Sequence, residues 1–113
     1  MNNGFVEITD TESLEQFLSS VNGTAAVLFK HSNSCGVSSR AYREMSMLER
    51  PVGLIVVQQA RPVSEEVGRR WNVVHETPQV LIVHDGKLSW KASHFEISAQ
   101  TVAEALRKIT VSE

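Results

Sequence analysis

Apolar residues in this chain fall into short continuous runs and spaced stripes that alternate from one end to the other. Phe5-Val6-Glu7-Ile8 has the length and composition of a strand. Thr9 and Glu12 have capping-box spacing, and Leu14, Phe17, Leu18 and Val21 follow at i, i+3, i+4 and i+7, one face of a helix that Asn22-Gly23 stops. Ala25 to Phe29 is continuous and apolar, which predicts a buried strand of a parallel sheet. Lys30-His31-Ser32-Asn33-Ser34 is polar and predicts a loop. Beyond it a helix places Val37, Ala41, Met45 and Leu48 on one side and ends at Arg50-Pro51. Leu54 to Val57 predicts a second buried strand. Arg61-Pro62 opens a third helix, because proline suits a first turn, with Val63, Val67 and Trp71 inward. Val80 to Val83 is a third apolar strand and Asp85-Gly86 a hairpin turn. Leu88, Trp90 and Ala92 alternate with Ser89, Lys91 and Ser93, which predicts a strand with one apolar face. His94 and Phe95 are expected to complete the core at the sheet edge. Ser98 caps a last helix with Val102, Ala105, Leu106 and Ile109 inside.

The predicted order is β-α-β-α-β-α-β-β-α. Its first part needs crossover helices and parallel strands, and its last two strands form an antiparallel hairpin. A mixed central sheet with helices on both faces packs these elements, an α/β arrangement in the order of the thioredoxin fold. A length of 113 residues suits one domain over 1–113, and a hydrophobic content of 42% is too high for a disordered chain. The net charge is −2 with no basic block, so no nucleic-acid partner is expected. Apolar runs are strand-sized, so no membrane partner is expected either. Met1-Asn2-Asn3-Gly4-Phe5 lacks the charged start and apolar run of a signal peptide, which points to the cytoplasm.

The single cysteine, Cys35, excludes an intramolecular disulfide and any metal site built from several cysteines of one chain. His31, His75, His84 and His94 show no ligand spacing, and His75-Glu76-Thr77-Pro78-Gln79 lacks the second histidine of a zincin, so no metal is expected. A lone cysteine is ordinarily a small buried hydrophobe. Cys35 instead follows a polar loop after a buried strand and precedes a helix, which places it at or near that helix's N-cap. Unpaired first-turn amides and the helix dipole favour thiolate there, and the thiolate is the nucleophile. Lys30 and His31, just upstream, add positive potential. Gly36 either lets a substrate sulfur approach closely or relaxes the turn. Ser38, three residues after the cysteine, either hydrogen-bonds the thiolate across one helical turn or is a good helix-start residue. Thr77-Pro78 either offers backbone groups to an extended thiol or peptide, or is an ordinary proline before a strand.

Phe29-Lys30-His31-Ser32, Cys35 and Ser38-Ser39 resemble the active-site segment of the monothiol bacilliredoxins, the YtxJ-like proteins of the bacillithiol system. The resemblance continues through Arg61-Pro62-Val63-Ser64, His75-Glu76-Thr77-Pro78-Gln79, Asp85-Gly86-Lys87, Trp90 and Ser93-His94-Phe95. It implies a thioredoxin fold, a cis proline at Pro78 and a nucleophile at Cys35, with Gly36, Val37, Ser38, Thr77, Pro78, Lys30 and His31 around the substrate. It further implies removal of bacillithiol from protein mixed disulfides, with thiolated client proteins and the small thiol as partners, a monomer or weak dimer, and no cofactor beyond the small thiol as co-substrate. Gly36 departs from the family's usual proline after the cysteine. Cys35-Gly36-Val37-Ser38 is similar to the Cys-Gly-Phe-Ser of monothiol glutaredoxins, some of which carry an iron–sulfur cluster, but their Gly-Gly-x-Asp segment is absent. A catalytically silent thioredoxin-like stress or interaction module is the rival from another class. Cys35 and Arg40 are one residue too close for a phosphatase anion loop, and Ser32-x-x-Cys35 matches a peroxidatic motif without the rest of that scaffold. Arg40 and Arg43 on the second helix are expected to face solvent or, as the lesser alternative, to meet a carboxylate-bearing thiol.

Overall fold

The computed structural model describes residues 4–21 and 23–111. The expected helix stop at Asn22 and the leader-free start at Met1-Asn2-Asn3 lie outside the described residues. Five strands form one sheet: β1 (Phe5–Glu7), β2 (Ala26–His31), β3 (Val52–Val56), β4 (Gln79–His84) and β5 (Lys87–Ser93), in spatial order β1-β3-β2-β4-β5. The first three strands are mutually parallel, β4 runs against β2, and β5 returns along β4. The helices are α1 (Thr11–Ser20), α2 (Gly36–Met45), α3 (Arg61–Trp71) and α4 (Ala99–Val111), and a 3₁₀ turn, His94–Glu96, follows β5. This is the predicted thioredoxin fold.

Alternation along the strands divides the core into two layers. Val27, Phe29, Leu54, Val80 and Ile82 point to the side where Ala41 and Met45 of α2 and Val102, Ala105 and Leu106 of α4 pack. Ala26, Leu28, Ile55, Leu81 and Val83 point to the other side, against Leu14 and Phe17 of α1 and Val63 and Val67 of α3. Burial of these side chains on both faces supplies the main drive to fold, about 25 cal/mol for each Å² of apolar surface removed from water. Gly53 is the tightest approach. A Cβ there would lie 2.7 Å from Ile8 Cδ1 and 2.9 Å from Phe17 Cε2.

Three local expectations are corrected. The α1 cap is Asp10, not Thr9: the Asp10 carboxylate accepts from Ser13 N at 2.8 Å, and Ser13 Oγ accepts from Asp10 N at 3.1 Å. A carboxylate beside the free amides outcompetes a hydroxyl one residue earlier. Lys30 and His31 are the last residues of β2 and buried, not loop, because β3 and β4 extend the ladder past Phe29 through Lys30↔Ile55, His31↔Val56 and Lys30↔Gln79. The β5 strand does not keep one apolar face. A bulge separates the pairs Ile82↔Trp90 and Val83↔Leu88, so Trp90 packs with the α2/α4 layer and Leu88 with the α1/α3 layer. The expected inner residues of α3 and α4 and the Ser98 cap match, Thr101 N donating to Ser98 Oγ at 3.0 Å. The Asp85-Gly86 turn has positive φ at both positions, 54° and 76°, as a two-residue hairpin of this hand requires.

Candidate active site

The carboxyl ends of the parallel strands and the start of β4 share one edge of the sheet. The antiparallel pair Lys30↔Gln79 sets the Thr77-Pro78 segment beside the end of β2, and the Thr77–Pro78 bond is cis. His94 N donates to Pro78 O at 3.0 Å, bringing the end of β5 to the same edge. Cys35 occupies this edge as the N-cap of α2, with extended backbone (φ −123°, ψ 127°), a half-buried side chain and no side-chain capping bond. Its carbonyl accepts from Ser39 N at 3.0 Å. Gly36 is exposed at N1 and Val37 is half-buried beside it. A Cβ on Gly36 would meet nothing within 4 Å, and its φ is not in the left-handed range. Neither turn strain nor packing calls for glycine there.

Ser38 is buried, and its hydroxyl does not wait for the sulfur. Ser32 N donates to Ser38 Oγ at 2.9 Å, and His31 Nδ1 lies 2.7 Å from the same oxygen. His31 also packs in a tilted three-ring cluster with Phe29 and Tyr42, with ring centroids at 5.6 Å and 4.9 Å. Burial lowers the His31 imidazolium below the usual histidine range, and the Ser38 bond opposes this in part. Lys30 points to the opposite face. Its residue is fully buried, its Nζ is 3.3 Å from His75 Nδ1, and desolvation lowers its ammonium below the usual lysine range. The two residues expected to flank the cysteine from a loop therefore act from within the strand, on opposite sides of the sheet.

Residues 6–102 match the family described as "Monothiol bacilliredoxin BrxC". The chain belongs to the monothiol bacilliredoxin family. The fold agrees with solved structures. A protein described as a thioredoxin-fold oxidoreductase superposes with a TM-score of 0.83 at 24% identity, over 90% of this chain and 93% of that one. Thioredoxin from Trypanosoma brucei brucei gives 0.74 at 14% identity, over 97% and 94%, and thioredoxin from Fasciola hepatica 0.71 at 18%, over 96% and 98%. Family membership makes this bacilliredoxin a thiol oxidoreductase, one that carries a single thiol of its own.

Sequence reasoning misses the residue that braces the loop before the bacilliredoxin cysteine. Gln58, just past β3, donates from Nε2 to Ser32 Oγ at 2.8 Å and to Ser34 Oγ at 3.0 Å, while its Oε1 accepts from Asn33 N at 3.3 Å. Its signal in sequence is only a polar residue after an apolar strand, and the contact spans some 25 residues. His75 stands within a legible motif, but its link to Lys30 is tertiary. An ammonium only donates, so His75 Nδ1 accepts and the neutral ring carries its proton on Nε2. Desolvation, then the charges of Lys30 and Arg61, lower the His75 imidazolium below its usual range. Two further expectations change. His94 and Phe95 do not complete the core: Phe95 is 70% exposed and lies under the Arg40 guanidinium at 5.9 Å, and His94 is exposed with φ 57°. Arg40 is half-buried and not wholly turned to solvent, because Nη1 donates to Ile97 O at 2.9 Å, whereas Arg43 is exposed as expected.

Proposed function

We propose that this chain removes a low-molecular-weight thiol, bacillithiol, from protein mixed disulfides in the cytoplasm. The observation that carries the reading is the placement of Cys35: the only thiol of the chain, uncommitted to any capping bond, at a helix N-terminus on the open side given by Gly36 and beside the Thr77-Pro78 edge. In the first step the Cys35 thiolate attacks the sulfur of the small thiol in the client's mixed disulfide. A new Cys35–small-thiol disulfide forms, the old sulfur–sulfur bond breaks, and the client sulfur leaves with the electron pair and takes a proton from water. In the second step an external thiolate attacks the small thiol's sulfur on Cys35, and the Cys35 thiolate leaves. No second cysteine exists to do this within the chain, and the Ser38 hydroxyl is held by His31 and Ser32. Backbone groups of Thr77 orient the adduct so that attack falls on the small thiol's sulfur and not on the client's. Thiolated client proteins and the small thiol are the partners, and no resident cofactor takes part.

Intact mass spectrometry after exposure to oxidised bacillithiol tests this. One adduct on wild-type protein, none on Cys35→Ser, and loss of de-thiolation in the same variant are expected. Full activity of Cys35→Ala on a bacillithiolated client protein would overturn the reading.

A further inference from the structure

A second concave feature adjoins the cysteine loop on the α1/α3 side of the sheet. It is a cleft of about 350 Å³ lined by Val57, Gln58, Arg61, Ser64, Glu65 and His75. Three of its features are those of an anion site. Ser64 is 3% exposed, lines the cleft, and its hydroxyl makes no hydrogen bond among the described residues. Arg61 is an exposed cation at the first turn of α3, and Ala60, the N-cap there, supplies no side-chain acceptor, so first-turn amides remain free. His75 has Nδ1 occupied by Lys30, leaving Nε2–H as its free donor. Outside the lining, Lys30 is a fully buried ammonium held by His75, with no carboxylate within salt-bridge distance among the described residues. The lining sets one acid, Glu65, against Arg61, so the donors of Ser64 and His75 are in excess.

We propose that this cleft binds the carboxylate-bearing end of the small thiol while its sulfur engages Cys35. The inference rests on the exchange reaction proposed above and names the feature by which the substrate is chosen. Gln58 joins the two sites: it lines the cleft, and its amide holds Ser32, Asn33 and Ser34, the residues that lead into Cys35. A carboxylate in the cleft takes hydrogen bonds from Arg61, Ser64 Oγ and His75 Nε2. A neutral group of the same size leaves those donors unpaired, which is how a polar site discriminates.

The test separates binding from chemistry. Binding is read by NMR on Cys35→Ser protein titrated with succinate and, in parallel, with its neutral isostere succinamide. Succinate is expected to shift the Arg61 and Val63 amides and the His75 ring, and succinamide is not. Chemistry is read as the rate of Cys35 adduct formation with glutathione disulfide, which bears carboxylates, relative to hydroxyethyl disulfide, which does not. That ratio is expected to fall about tenfold in Arg61→Gln, the equivalent of one charge-assisted hydrogen bond, and less in His75→Gln. Equal shifts from succinate and succinamide, no shift from either, or an unchanged rate ratio in Arg61→Gln would overturn the proposal. Absence of any Cys35 adduct in a protein that still binds succinate would instead overturn the exchange reaction and leave an anion site without a thiol.

Discussion

Lys30 and His31 are consecutive, both buried, both at the end of one strand, and they meet opposite fates. His31 turns toward α2 into a closed arrangement: packed with the rings of Phe29 and Tyr42, and Nδ1 on a Ser38 hydroxyl that also takes the Ser32 amide. Lys30 turns toward α3 into an open one, in which its ammonium has a single side-chain partner, His75, at the wall of a cleft. The closed side fixes where the cysteine loop starts. The open side keeps unspent hydrogen-bonding capacity next to that loop. A buried polar group with all its partners rigidifies, whereas one with few is retained at a cost in stability and is available to a ligand.

The largest expected break in this comparison is on the closed side. Ser38→Val adds volume at a fully buried position and strands the Ser32 amide and His31 Nδ1. It should cost about 2–3 kcal/mol, read as a lower denaturation midpoint at constant slope. Ser38→Ala should cost less, since water can enter the smaller side chain's space. On the open side the sign reverses. Lys30→Met removes a buried ammonium that has no ion pair, and should leave stability unchanged or raise it by about 1 kcal/mol at neutral pH. The same pair of proteins should differ in pH dependence. The Lys30 ammonium is easier to deprotonate folded than unfolded, so the unfolded chain binds more protons between the lowered value and the ordinary lysine range. Wild-type stability should therefore rise with pH across that window, and fall as pH drops through it, relative to Lys30→Met. A flat difference between the two would show that Lys30 is not desolvated. The smallest effect concerns the entrance shared by both sides. Gly36→Ala meets no atom within 4 Å and should raise stability by about 0.5 kcal/mol, measured by thermal melting, because the unfolded chain loses freedom.

Periodicity locates nearly every element here because each stripe is a local property of one segment. The stripes of α1, α3 and α4 give the inner faces directly, and the helix after Cys35 puts the cysteine at an N-cap, where it lies. What is illegible depends on partners far along the chain. Lys30 and His31 look like loop because they are polar, and only pairing with β3 and β4 makes them strand. The β5 alternation is real in sequence, but the bulge opposite Ile82/Val83 changes which face each residue serves. Nothing local marks Gly53, because its necessity comes from Ile8, Phe17 and Leu28. At the site, the cysteine and the Thr77-Pro78 edge are legible as motifs. Gln58, Ser64 and the Lys30–His75 link are not, since a single polar residue carries no periodic signal.

At Gly36, next to the Cys35 sulfur, folding makes no demand of its own: there is no neighbour to clash with, no left-handed backbone and no core to fill. Glycine, alanine and proline are all structurally admissible at N1 of a helix. A change in that codon is therefore visible to selection almost entirely through what the sulfur meets, so lineages can explore new thiol partners there without first repairing the fold.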